Sequence, residues 1–166
     1  MMQVSKRIAA AVLLSTSCAW SAVAQEPSSA ASCKVVHADM VELRSTVGCK
    51  PEHATCFLGE VVGNHGLLGT TYFKSDAGAA GPSTSPGFIS YSGVFEYITP
   101  RGTIVTRETG VVNQTQGQAD SGAVTAYQAI TSATGELEGT TGHFFVSGFS
   151  RDGRVVTKVT GQVCKG

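Results

Sequence analysis

The stretch Phe88–Val112, FISYSGVFEYITPRGTIVTRETGVV, reads as two long β-strands folded back at Thr99-Pro100-Arg101-Gly102. Proline presets φ at the second position of a β-turn and glycine suits the fourth. With Pro100-Arg101 as the tip, Tyr97 faces Ile104, Phe95 faces Thr106, Gly93 faces Glu108 and Tyr91 faces Gly110. One face then carries Ile89, Tyr91, Phe95, Tyr97 and Ile104, with Glu108 among them. The other carries Ser90, Ser92, Glu96, Thr103, Arg107 and Thr109, a water-facing set. A three-residue loop would slip the register by one and change the partners.

The rest of the chain agrees with an all-β fold. All 20 glycines lie from Gly48 onward, among Thr, Val and aromatic residues, with no long helical pattern. Further strands are predicted at Thr55–Gly63, Leu67–Lys74, Gly122–Ile130, His143–Ser150 and Val155–Val163. Asn64-His65-Gly66 and Asp152-Gly153 mark hairpin turns. The second of these pairs Phe144 with Gly161, Val146 with Val159 and Ser150 with Val155, and puts Phe149, Ser147 and His143 on the opposite face. Met40, Leu43 and Val47 fall at helical spacing, so Ala38–Thr46 is predicted as a short helix. Ser75–Gly87, SDAGAAGPSTSPG, has no side chain able to fill a core and is predicted as a surface loop, either a lid or simply disordered. The expected architecture is a single antiparallel eight-stranded, calycin-like barrel with a short N-terminal helical or irregular segment; a sandwich is the other arrangement that fits such strand spacing.

The start of the chain has a separate purpose. Lys6 and Arg7, an apolar run from Ile8 and the small-residue site Ala22-Val23-Ala24 form a secretory signal over residues 1–24. Its apolar run is too short to span a bilayer, and no second segment is long enough either. Residues 25–32 form a polar tail and 33–166 the folded domain. Removing Lys6 and Arg7 from 12 basic residues leaves 10 against 12 acidic, a formal charge of −2. With no basic patch, nucleic acid is not an expected partner. Four cysteines remain after cleavage, Cys33, Cys49, Cys56 and Cys164, an even number that implies disulfides in an exported domain. Of three pairings, the favoured one closes CKPEHATC through Cys49–Cys56 and ties the chain ends through Cys33–Cys164.

Glu108 is the candidate catalytic group. A carboxylate facing aromatic walls loses solvation, which raises its pKa toward the range useful to a general acid or base. Tyr91 and Tyr97 can hydrogen-bond to it or to a ligand, and Phe95 and Ile104 complete the candidate ligand wall. The bland alternative pairs Glu108 with Arg107 at a solvated rim. Taking Leu58 and Val62 as inward places Glu60 inside as well, a possible second acid. His37, His53, His65 and His143 show no metal-ligand spacing, so neither metal nor cofactor is expected. No G-x-S-x-G and no phosphate-cradling loop appears.

Thr134–Gly142, TGELEGTTG, followed by HFFVSG, resembles the TG-x-(Y/F)-x-G-x-x-G segment of the allene oxide cyclase and dirigent barrel group, with Leu137 where the pattern often has an aromatic. Gly102-Thr103-Ile104 leading into Glu108-Thr109-Gly110, and the closing VTGQVC, are similar too. The resemblance spans Thr55–Cys164. It implies an eight-stranded barrel whose apolar cavity holds a hydrophobic intermediate and steers its cyclisation or coupling.

The expected function is therefore an exported barrel, periplasmic or secreted, that binds a small hydrophobic molecule in its lumen; whether it also steers an isomerisation or cyclisation is left open by the residues. Nothing in the sequence decides against an oligomer. The alternative is a non-catalytic interaction or inhibitor barrel, and a third option is a barrel with a filled core and no ligand. A cavity of several hundred Å³ beside Glu108 favours the ligand. A lumen packed by Phe144, Phe145 and Phe149 favours the interaction module.

Overall fold

The computed structural model describes residues 32–115 and 118–165, so the expected signal and nearly all of the expected tail lie outside the described residues. Eight strands run in order: β1 Ser32–Arg44, β2 Cys56–Gly63, β3 Leu68–Ala80, β4 Phe88–Thr99, β5 Gly102–Thr115, β6 Gln118–Ala133, β7 Thr140–Arg151 and β8 Arg154–Lys165. Each pairs antiparallel with the next, and β8 pairs with β1, which closes the barrel. Closure leaves no unpaired sheet edge.

The Phe88–Val112 hairpin has the expected register: Tyr97 opposes Ile104, Phe95 opposes Thr106, Gly93 opposes Glu108 and Tyr91 opposes Gly110. Thr99 closes the turn, its hydroxyl donating to the Gly102 carbonyl at 2.8 Å and accepting from the Arg101 N–H at 3.2 Å. At the last hairpin, Asp152 and Gly153 both have positive φ, 51° and 75°, the conformation of a two-residue turn matched to strand twist. That turn fixes Phe144 opposite Gly161 and Val146 opposite Val159.

The middle of the lumen is filled. Phe73, Phe95, Tyr97 and Phe144 form a run of touching rings, with centroids 6.1, 4.8 and 5.3 Å apart. Burial of each such ring contributes roughly 2–3 kcal/mol. Leu67 and Leu137, the latter in a 3-10 turn at Gly135–Leu137, are buried nearby and join the same core.

Two disulfides staple the barrel. Cys33–Cys164 joins directly opposed residues of β1 and β8 and locks the closing seam. Cys49–Cys56 ties the β1–β2 connection to the start of β2. Such bonds belong to proteins of oxidising compartments outside the cytoplasm. Among the described residues no helix is long and apolar enough to cross a membrane.

Three expectations are corrected. Ala38–Thr46 is not a helix: residues through Arg44 belong to β1, where Val36, Ala38, Met40 and Glu42 alternate inward. Leu43 and Val47, two of the three residues at helical spacing, are exposed. Glu60 is outside, because Val61 rather than Val62 is buried and β2 has the opposite parity. The span from Ser75 is not a loop throughout: β3 continues to Ala80 past a bulge between Ser75 and Ala77. Phe144 is buried in the lumen, while Phe149 lies on the opposite face, as the register of its hairpin predicts, and Phe145 is exposed beside it.

Candidate functional site

Two carboxylates enter the lumen from strands four places apart around the ring, Glu108 on β5 and Glu42 on β1. They are 5% and 6% exposed. Each depends on a glycine beside it. A Cβ on Gly110 would stand 2.5 Å from the Tyr91 hydroxyl, so glycine leaves room for that ring. A Cβ on Gly59 would stand 2.7 Å from Glu42 Cγ and from Thr71 Oγ1, so glycine makes space for the Glu42 stem.

Glu108 is well supplied with donors. The Tyr91 hydroxyl donates to Oε1 at 2.9 Å, and Gln128 Nε2 donates to Oε2. The Tyr97 hydroxyl in turn donates to Gln128 Oε1, so Tyr97, Gln128, Glu108 and Tyr91 form one chain of hydrogen bonds. Burial pushes the Glu108 pKa up, and the bonds from Gln128 and Tyr91 hold it back by stabilising the charged form. Arg107, the neighbour that could have neutralised Glu108, faces outward and makes a two-point contact with Asp76, the bulged residue of β3. Asp76 is held below its usual range by that guanidinium.

Glu42 differs. Its Oε1 is buried and has no hydrogen-bond partner among the described residues. Burial first, and then the charge of Glu108, push its pKa up to about 8. The hydroxyls of Thr71 and Thr157 are likewise buried without partners. Near neutral pH the pair therefore holds its protons unequally: Glu42 is mostly protonated, while Glu108 is the better stabilised anion.

A cavity of about 290 Å³ opens at this end of the barrel. Glu42, Glu108, Tyr91 and Thr157 line it together with Phe57 and Phe73. Its volume is at the lower end of the ~300–1,000 Å³ usual for ligand sites. Of the residues chosen from sequence, Tyr91 and Glu108 line this cavity. Phe95 and Tyr97 stand in the packed ring column instead. Ile104 lines a smaller cavity of about 180 Å³ near the Cys33–Cys164 seam, with Leu67, Leu137 and Val163. Glu42 and Gln128 were missed. Gln128 shares strand parity with Val124 and Ala126, both buried, and that alternation was the available signal. Among the described residues no cluster of three or more His, Cys, Asp or Glu side chains is placed to hold a metal.

Fold and site together define a closed up-and-down β-barrel, filled at its middle by aromatic side chains, with an acid-lined cavity at one end. No family model, curated protein or solved structure matches this chain.

Proposed function

We propose that this is an exported barrel that binds a small, mostly apolar molecule in the cavity between Glu42 and Glu108. The observation that carries this is the cavity itself, a mainly apolar pocket with a few convergent polar groups, the usual make-up of a ligand site. The disulfides support export. Affinity with the allene oxide cyclase and dirigent group remains a proposal resting on Thr134–Gly142 and on the closed eight-stranded barrel.

The unequal acid pair favours a second step. One carboxyl holds a proton that the other, across the cavity, is placed to match with a base. A ligand between them could be isomerised or cyclised by moving a proton from one of its atoms to another. The rival interaction module has less support, since the lumen beside Glu108 is open and not packed shut.

Binding is tested by thermal unfolding in the presence of small ring compounds. A ligand at a hundred times its Kd adds about 2.7 kcal/mol of stability. Val146→Phe, which fills the cavity, should abolish the gain; an equal gain in that variant would refute the site. Unchanged turnover or affinity in Glu108→Gln would remove Glu108 from the mechanism.

A further inference from the structure

We propose that the cavity takes a small organic amine as its ammonium ion, with the nitrogen on Glu42 and the apolar body against Phe57, Phe73 and Tyr91. This rests on the cavity being a ligand site and names the chemical class it selects. Two observations point to a cation, and a third to its apolar body.

The first is charge. The charged side chains lining the cavity, among the described residues, are Glu42, Glu108 and Arg44, and Arg44 is exposed at the end of β1. Two acids therefore face the interior from opposite walls, while Arg107 is turned away to Asp76 on the outside. Tyr91 on β4 is the other titratable group lining the space; β2, β3, β6, β7 and β8 line it with neutral, non-titrating side chains. A bound cation is the partner that lets Glu42 ionise in this apolar space.

The second is hydrogen bonding. Glu42 Oε1 and Thr157 Oγ1 are buried acceptors without partners, and both residues line the cavity. An ammonium group brings three donors and no acceptor, which matches such a set.

The third is the wall. Phe57, Phe73 and Tyr91 are in sequential contact, with centroids 6.4 and 5.7 Å apart, the second pair edge to face. These rings give the apolar body of the amine a surface to pack on.

Binding an ammonium favours ionised Glu42. Below about pH 8, where Glu42 is protonated, the ligand must expel that proton, so affinity falls as pH is lowered.

The test compares benzylamine with benzyl alcohol, its neutral isostere, by isothermal titration calorimetry of the full disulfide-bonded protein. Near pH 7, in two buffers of different ionisation enthalpy, benzylamine should release about one proton on binding, and benzyl alcohol none. Benzylamine should bind about ten- to a hundredfold tighter, the value of a charged hydrogen bond in a dry site. In Glu42→Gln the release should vanish and the preference collapse, with benzyl alcohol still bound. Equal binding of both by the native protein would overturn the amine and leave the cavity as a site for neutral molecules, and tighter amine binding without proton release would overturn Glu42 as its seat. Binding of neither would overturn the cavity reading as well.

Discussion

Glu42 and Glu108 face one cavity from opposite sides of the barrel, and the donors are shared unequally between them. Tyr91 and Gln128 both serve Glu108, while Glu42 Oε1 has no partner among the described residues. Two buried acids in one apolar space oppose each other's ionisation, and the one without donors takes up the proton.

Stability should therefore fall as pH rises. Glu42 has its pKa raised from 4.5 to about 8 on folding. Between those values the folded protein holds a proton that the unfolded chain has released, so raising pH favours unfolding. The loss accumulates from about pH 4.5 to pH 8 and is on the order of a few kcal/mol. Glu108 shifts in the same direction and adds to it. Glu42→Gln should flatten the slope and be the more stable protein at pH 9. Urea unfolding at pH 5 and pH 9 checks this; a native protein more stable at the higher pH would contradict it.

Tyr91→Phe removes one of the two donors to Glu108. The Glu108 pKa should rise further, and carboxyl-carbon NMR titration measures it directly. The variant should lose about 1–3 kcal/mol where Glu108 is ionised and much less where it is protonated.

Gly110→Ala tests the space that the site needs. The new Cβ would stand 2.5 Å from the Tyr91 hydroxyl and 2.9 Å from Ala126 Cβ, so the ring must move. A destabilisation of about 1–3 kcal/mol is expected, with the Tyr91 to Glu108 bond broken. An unchanged melting temperature and Glu108 titration would show that the ring has room elsewhere.

The two disulfides should differ in weight. Cys33–Cys164 closes a loop of 131 residues in sequence separation and should contribute up to about 5 kcal/mol, against about 2 kcal/mol for Cys49–Cys56 with a separation of 7. Paired Cys→Ser variants, compared by urea midpoint, measure both. The reverse order would mean that the β1–β8 seam holds without its staple.

Most of the fold was legible in the sequence because turns and alternation agree. Pro100-Arg101 and Asp152-Gly153 set two registers, and Ile104, Thr106 and Glu108 on β5 and Val124, Ala126 and Gln128 on β6 alternate inward between them. Legibility failed where the site begins. On β1 the inward series Val36, Ala38, Met40 ends in Glu42, so an acid breaks the apolar alternation and exposed Leu43 and Val47 mimic a helix. On β2 the inward positions include Gly59, which gives up its side chain to admit Glu42, so the outward set Leu58, Glu60, Val62 looks the more regular. A functional pocket asks for polar and missing side chains at core positions, and those are the positions that patterning misreads. Glu108 was legible because its hairpin turn fixed which face it shares.

The central claim, that the acid-lined end of the barrel is a ligand site, is tested most directly by NMR of lumen methyl groups during titration with benzyl alcohol. Met40, Val112, Val124 and Val146 line the cavity, whereas Leu67, Leu137 and Val163 lie at the other end. Saturable shifts at the first group, with the second group unmoved, are the expected result. Shifts confined to the second group, or none at either end, would contradict it.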